Sequence, residues 1–367
     1  MRSTRQGHSW SVRLGLVAVL SCLVTGCTLP GSASSAGIVR RAWHTSTLLG
    51  DGRILVAGGA DGGALDAAEL FDPATGRWAA TASLGDAREE HTATRLADGR
   101  VLVIGGWRGG WFRGGGGLDT AERYDPATGR WEGAGRMGVR RMDHTATLLP
   151  DGRVLVTGGK PGIDAGDYAT AGAEIYDSST DRWVPAAPMA HARQGHTATL
   201  LPDGRVLVVG GSGAGLDTDT HTAEAYRPSA DRWEPVAPPL HGHINTSAAL
   251  LADGTVLIVD NVAGSERYDP AANRWRPVPP PVLPISWVAI APLPDGRVLA
   301  VSEATVAAYD PATDGWQHLG TLVTPRIQPT TTALPNGQVV LIGGTSKGPP
   351  AEIITPSSMA GRIVQSR

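Results

Sequence analysis

One unit of about 50 residues is repeated seven times along this chain, and that repetition constrains the fold more than any other feature. An Asp-Gly pair, once Asn-Gly, marks the same place in each unit, at residues 51, 98, 151, 203, 253, 295 and 336. A single small unit buries its apolar side chains only against neighbouring copies. The sequence therefore predicts an array of similar units packed side by side.

Each unit predicts four short strands, as the third copy illustrates. Thr145–Leu149 and Val154–Val156 flank the Asp-Gly pair, which indicates a hairpin with a type I′ turn. Val154–Val156 is apolar without polar alternation, as in a strand covered on both faces. Two further segments, Ala173–Asp177 and Asp181–Trp183, complete the set. We therefore expect antiparallel sheets joined by short turns.

Other residues recur in most units: Arg and His before the first strand, Gly-Gly after the second, Glu-x-Tyr-Asp in the third and Trp in the fourth. The arginines are Arg41, Arg88, Arg141, Arg193 and Arg326, with His243 and Ile285 in the other two units. This pattern resembles the kelch family over residues 40 to about 365. The resemblance implies an all-β fold, a seven-bladed kelch-type β-propeller with four antiparallel strands per blade, similar to the central domain of galactose oxidase.

The last unit lacks the Trp and has Gly361 in its place. Its outer strand could come from Arg362–Gln365 or from residues 31–40, and the sequence leaves both possibilities open.

Residues 1–26 resemble the signal peptide of a bacterial lipoprotein. Arginines precede the apolar segment Leu14–Val24, which is too short to span a bilayer, and Cys27 follows it. We expect a lipidated Cys27, a Gly- and Ser-rich flexible tether over 27–39, and a propeller over 40–367 held at the membrane of the bacterial cell envelope. An ordinary secretory peptide that is cleaved nearby is the alternative.

Composition narrows the function. The net charge of −3 over 367 residues does not favour nucleic-acid binding. Cys22 lies within the signal segment, so the mature chain would have no internal cysteine. No P-loop, nucleophile elbow or zinc motif is present. We therefore expect a monomeric propeller without a cofactor.

Strand alternation places the 2–3 loops of every blade, and the segments joining strand 4 to the next strand 1, on one end of the propeller. We call this end the variable face, because its segments differ most between units; such loops usually carry binding. The second unit contributes a Gly-rich loop with five candidate ligand-binding residues, Trp107, Arg108, Trp111, Phe112 and Arg113. Alternatively, these aromatics pack down on the propeller itself.

The five repeated arginines are a second set of candidates, because by resemblance they surround the mouth of the central channel and could hold an anion there. Alternatively, as the resemblance implies, each belongs to the repeat itself and bonds to neighbouring blade groups, including the Glu of Glu-x-Tyr. Trp43 and Trp287 lie outside the repeated Trp position and are predicted near the same mouth. The repeated histidines do not favour a metal site, since one His per blade diverges around a ring.

We therefore interpret the chain as an envelope-tethered binding module for a protein or a glycan, in preference to an enzyme. One alternative is an enzyme similar to the sialic acid mutarotases, whose acid–base groups would come from Glu89, Glu90, Arg140, Arg141 and Asp143. Copper chemistry of the galactose oxidase kind needs a cysteine cross-linked to a tyrosine, which the mature chain would lack. Another alternative is an architectural subunit of an envelope complex.

Overall fold

The computed structural model describes residues 40–109, 116–162, 168–213, 221–260, 264–281, 283, 288–344 and 348–359. The predicted seven-bladed β-propeller with four antiparallel strands per blade is confirmed. The strands of blades 1 to 3 are Thr45–Leu48, Ile54–Ala57, Ala68–Asp72 and Arg77–Ala80 (β1–β4); Thr92–Arg95, Val101–Ile104, Leu118–Asp125 and Arg130–Arg141 (β5–β8); and Thr145–Leu148, Val154–Thr157, Ala173–Asp177 and Arg182–Ala186 (β9–β12). Those of blades 4 and 5 are Thr197–Leu200, Val206–Val209, Ala223–Arg227 and Arg232–Pro235 (β13–β16), and Ser247–Leu250, Val256–Val259, Glu266–Asp269 and Arg274–Pro277 (β17–β20).

The last two blades depart from this plan. Blade 6 contains Ala289–Pro292, Val298–Asp310 and Gly315–Arg326 (β21–β23), and blade 7 contains Thr330–Ala333, Val339–Ile342 and Ala351–Ile354 (β24–β26). β22 covers the second and third strand positions, since its first part pairs with β21 and its second part with β23. A helical turn, Pro356–Met359, follows β26. The segments predicted as the signal, the tether and the closing strand of blade 7 lie outside the described residues.

The first strand of each blade lies at the centre of the ring. β1 contacts β5, β5 contacts β9, and the series continues through β13, β17 and β21 to β24, which contacts β1. This closed ring of first strands places the segment that enters each blade at the end of the central channel. No helix in the described part of the chain is long and apolar enough to cross a membrane.

The hydrophobic core is divided into seven clusters, each lying between two neighbouring blades. Between blades 1 and 2, for example, Leu55 and Leu70 pack against Val101 and Val103. The last cluster joins blade 7 to blade 1 through Val340, Ile342 and their neighbours. All four residues of β2 and of β10 are buried, so the prediction of a strand covered on both faces is confirmed.

The predicted hairpins are present, but the predicted type I′ turn is wrong. A type I′ turn needs positive φ at both central residues, whereas only the glycine of each Asp-Gly pair has it: Gly52 lies at φ 88° and Asp51 does not lie in that region. The Gly52 N–H donates to Leu49 O at 3.2 Å and the Arg53 N–H to an Asp51 carboxylate oxygen at 3.0 Å. This arrangement is a three-residue loop with glycine at its left-handed position, which the Asp side chain stabilises.

The repeated Tyr and Trp positions pair across strands 3 and 4 of the first six blades. Tyr176 lies opposite Trp183, with ring centroids 5.1 Å apart. The Trp183 indole N–H donates to Ala134 O of the preceding blade at 2.8 Å. These aromatics therefore pack each blade and also join it to its neighbour, as the core interpretation predicts.

Candidate functional site

On the variable face of at least four blades, the segment that enters the blade pairs with the 2–3 loop of the same blade. The pairs are isolated antiparallel bridges, namely Ala42 with Ala60, Glu89 with Trp107, Met142 with Lys160 and Gln194 with Ser212. Residues 42, 89, 142 and 194 are equivalent positions of the repeat. The site is therefore built from two segments per blade around the channel.

The five repeated arginines are buried just beneath this layer, each in an ion pair with the Glu of Glu-x-Tyr. The pairs are Arg41–Glu69 at 2.6 Å, Arg88–Glu122 at 2.7 Å, Arg141–Glu174 at 3.0 Å, Arg193–Glu224 at 2.7 Å and Arg326–Glu352 at 3.4 Å. Burial lowers the pKa of the Arg88 guanidinium, and the Glu122 carboxylate opposes that shift. The alternative interpretation, in which this Arg bonds to the Glu of its own blade, is confirmed, so these guanidiniums have internal partners.

The repeated histidines connect neighbouring blades. His91 Nε2 lies 2.9 Å from Thr45 Oγ1 of the preceding blade, and His144 Nε2 lies 3.0 Å from Thr92 Oγ1. Burial, followed by the charge of Arg141, lowers the pKa of His144 to about 3. These imidazoles are therefore neutral groups of the scaffold.

Blade 5 replaces the arginine with His243, which bridges two carboxylates. Its Nδ1 lies 3.0 Å from Asp260 and its Nε2 lies 3.1 Å from Glu266, all three side chains being buried. Asp260 occupies the place of the first glycine of Gly-Gly. Its carboxylate therefore gives His243 a partner within reach, although the histidine side chain is shorter than that of the arginine in other units. Although burial opposes protonation, hydrogen bonds and charges from Asp260 and Glu266 raise the pKa of His243 to about 9. A buried cation is thus kept at this position.

The stability of the propeller should depend on His243 at alkaline pH. Because its pKa is higher in the folded chain than in the unfolded chain, His243 stabilises fully below about pH 6.5, and this contribution is lost as the pH rises through about 9. The difference in unfolding free energy between the native chain and His243→Gln should therefore shrink from pH 7 to pH 10, as measured by urea unfolding. A difference that grows over this range would contradict the assignment.

The candidates of the Gly-rich loop differ in accessibility. Trp107 is 4% exposed, and its indole N–H donates to Gly109 O. The Arg108 side chain is 62% exposed and pairs with Asp86 at 3.4 Å. Trp107 thus packs against the propeller, as the alternative interpretation proposed, whereas Arg108 lies at the surface. Trp111, Phe112 and Arg113, like Trp287 and Cys27, lie outside the described residues.

The residue just before the repeated His forms what we call the channel-mouth ring. Its described members have φ near +50° to +60° and are Trp43 (52°), Glu90 (54°), Asp143 (53°), Gly195 (60°), Asn245 (53°) and Gln328 (55°). Backbone bonds join members of adjacent blades: the Glu90 N–H donates to Trp43 O at 3.1 Å, and the Gly195 N–H to Asp143 O at 3.0 Å. Left-handed backbone favours glycine, is tolerated by Asp and Asn and is costly for Trp, Glu and Gln, and such strain is concentrated at functional sites.

The chemistry of the ring is concentrated in blades 1 to 3. Trp43 is 43% exposed. Burial, followed by the charges of Asp143 and Glu89, raises the pKa of Glu90 to about 8, against the opposing charge of Lys160. Burial also raises the pKa of Asp143, whose carboxylate lies 3.5 Å from the Lys160 ammonium. Two partly buried carboxyls, those of Glu90 and Asp143, therefore belong to the same ring as the exposed Trp43.

Glu90→Gly is expected to raise the free energy of unfolding by about 1 kcal/mol, because it removes left-handed strain, with part of that gain offset by the entropy of glycine in the unfolded chain. Urea unfolding measures the change. Glu132→Gly, at an exposed β8 position without positive φ, is the control and should lower stability by about 0.5–1 kcal/mol. Equal losses in both variants would show that Glu90 is not strained.

Comparison with known proteins agrees with this architecture. The Kelch motif matches residues 92–138 and 195–240. Galactose oxidase of Gibberella zeae is 32% identical over 103 residues, which are 27% of this chain and 14% of that protein. Kelch-like protein 36 of Bos taurus is 30% identical over 185 residues, which are 49% of this chain and 28% of that protein.

Among solved structures, YjhT superposes with a TM-score of 0.56 at 16% identity, covering 86% of this chain and 93% of that one. At this identity the likeness concerns the fold. The repeated residues, their ion pairs and these matches lead to one conclusion: the chain is a seven-bladed β-propeller, two of whose repeats match the Kelch motif.

Proposed function

We propose that this chain is an exported binding module, anchored to the cell envelope through a lipidated Cys27, that recognises a partner protein through the variable face. One observation carries the proposal: the described members of the channel-mouth ring are six different residue types at a single repeat position, all in left-handed backbone that favours glycine, although five of the six are not glycine. The scaffold does not require this variety, since neighbouring Arg, Glu and His positions repeat.

A protein partner is favoured over a glycan for two reasons. Kelch propellers generally mediate protein binding. The variable face also exposes apolar side chains beyond the ring, with Ile327 63% and Val323 52% exposed. Exposed apolar and aromatic residues beside charged groups are typical of protein interfaces.

Site-specific photo-crosslinking in intact cells tests the binding face. A photoreactive phenylalanine analogue replaces Trp43 or Ile327 on the variable face. In the matched controls it replaces Ala74 or Thr128, which lie in the turns between strands 3 and 4 on the opposite face. We expect discrete protein adducts from the first pair and none from the second. Adducts from the opposite face alone would overturn the proposal.

Glycan recognition is a separate outcome of the same approach. The full chain and its Trp43→Ala variant are applied to a glycan array. Saturable binding that Trp43→Ala abolishes, without protein adducts, would replace the protein partner by a glycan. The absence of both would favour the architectural alternative.

The anchor has its own test. Cys27→Ser is expected to move the chain from the membrane fraction to the soluble fraction of the envelope, because a single lipidated residue would provide the attachment. Cys22→Ser is the matched control and should leave the chain in the membrane fraction. Quantitative blotting of the two fractions measures the shift, and an unchanged distribution in Cys27→Ser would refute anchoring at this residue.

A further inference from the structure

We propose that the channel-mouth ring of blades 1 to 3 is a receptor for a guanidinium group, an arginine side chain of the partner protein, held between the carboxyls of Glu90 and Asp143 and the indole of Trp43. This inference rests on the proposed function, since it names the group that the variable face would recognise.

The first argument is a deficit of positive charge. Burial raises the pKa of Glu90 and the charges of Asp143 and Glu89 raise it further, so these two carboxyls form a group with Glu90 within electrostatic range. Among the described residues one ammonium, that of Lys160, forms an ion pair with the group, and it contacts Asp143 only. The repeated arginines do not compensate, because they pair with internal glutamates. A second cation would therefore be attracted to this site.

The second argument concerns unpartnered polar atoms. Glu89 is 7% exposed, and within the described residues its carboxylate has no hydrogen bond or ion pair. Its charge acts on Glu90, so the two carboxyls are neighbours. Glu90 Oε2 is itself buried and without a hydrogen-bond partner there. Buried carboxylate oxygens normally have donors, and a guanidinium would supply several at once.

The third argument selects the kind of cation. Trp43 is 43% exposed, and its carbonyl accepts the Glu90 N–H at 3.1 Å, so an accessible indole belongs to the ring member that adjoins Glu90. Guanidinium is planar, stacks on aromatic rings and bonds carboxylates with two parallel donors, which a lysine ammonium does not do.

The shifted titrations agree with this geometry. Burial raises the pKa of Glu90 to about 8 and also raises those of Glu89 and Asp143, so burial outweighs the opposing charge of Lys160 at Glu90 and Asp143. A bound guanidinium would ionise Glu90. Binding should therefore release a proton near neutral pH, and affinity should increase with pH until Glu90 is ionised in the free chain.

The test is calorimetric titration of the full chain with N-acetyl-arginine methylamide, using N-acetyl-citrulline methylamide as an uncharged probe of nearly the same shape. We expect the arginine probe to bind at least about tenfold more tightly than the citrulline probe at pH 8.5. Its affinity should fall about tenfold or more between pH 8.5 and pH 6.5, with proton release detected in buffers of different ionisation enthalpy. Equal affinities for the two probes would overturn the proposal.

Variants separate recognition from folding. Glu90→Gln should weaken the arginine probe about fivefold or more at pH 8.5 and abolish its pH dependence. Lys160→Met should instead tighten binding about threefold or more, because it removes the resident cation; a purely structural lysine would not act in this direction. Weaker binding in Lys160→Met would contradict the proposal. If both probes fail while variable-face cross-links persist, the guanidinium receptor is refuted and the proposed function stands.

Discussion

Replacing Arg88 with leucine is expected to lower the free energy of unfolding by about 3–5 kcal/mol, because it leaves a buried carboxylate without its cation. The Arg88 side chain is 0% exposed and lies 2.7 Å from Glu122. It also donates to Gly105 O at 2.7 Å and to Thr120 O at 3.1 Å. Leucine fills part of the volume but supplies none of these donors. Urea unfolding followed by tryptophan fluorescence measures the loss.

The chain offers a matched control in an exposed pair of Arg and a carboxylate. Arg53 pairs with Asp51 at 2.6 Å, but their side chains are 36% and 44% exposed. Arg53→Leu should therefore cost less than about 1 kcal/mol. The double variant Arg88→Leu/Glu122→Leu should recover only part of the loss, since Glu122 also accepts the Gly85 N–H at 2.6 Å. A cost for Arg88→Leu as small as that for Arg53→Leu would show that the buried pair contributes little.

The repeat predicted the fold in detail because every level of the sequence agrees on it. The apolar runs, the Asp-Gly pairs and the Tyr–Trp positions each indicate the same strands. A strand that is poorly marked in one unit is clearly marked in another. The turn type was mispredicted because the Asp51 side chain bonds to the Arg53 backbone and stabilises negative φ at Asp51.

The candidate site was less predictable, because its residues differ from one unit to the next and so are not marked by the repeat. Glu90 and Asp143 were among the acid–base candidates, but nothing in their spacing indicated left-handed backbone or contact with Lys160. Asn245 and Gln328 were missed altogether. One signal was available: residue type changes in almost every unit at the position just before the repeated His, although that His and the Arg two residues before the position recur in most units. Variation within a strict repeat is where a scaffold leaves room for function.

The second large effect is expected from Gly105→Ala, which should lower the free energy of unfolding by about 2–4 kcal/mol through backbone strain together with overpacking. Gly105 has φ +59°, and a Cβ there would lie 2.6 Å from Arg141 O and 2.9 Å from His144 Cε1 of the next blade. Arg141 O belongs to the backbone and cannot rotate away. The added methyl group would therefore force blades 2 and 3 apart. Urea unfolding measures the cost.

Gly99→Ala in the same blade separates the two contributions. Gly99 has φ +87° with nothing within 4 Å of the added Cβ, so this variant should show the strain alone, about 1 kcal/mol.

The sequence of the other units supports a separate contribution from close packing between blades. A side chain replaces this glycine at Asp260 and Ser302, and in both cases the following unit has Val288 or Pro329 in place of the His. His144→Val should therefore reduce the cost of Gly105→Ala without abolishing it, because the Arg141 carbonyl remains. Equal costs for Gly99→Ala and Gly105→Ala would mean that the glycine serves backbone conformation alone and that contact between blades does not require it.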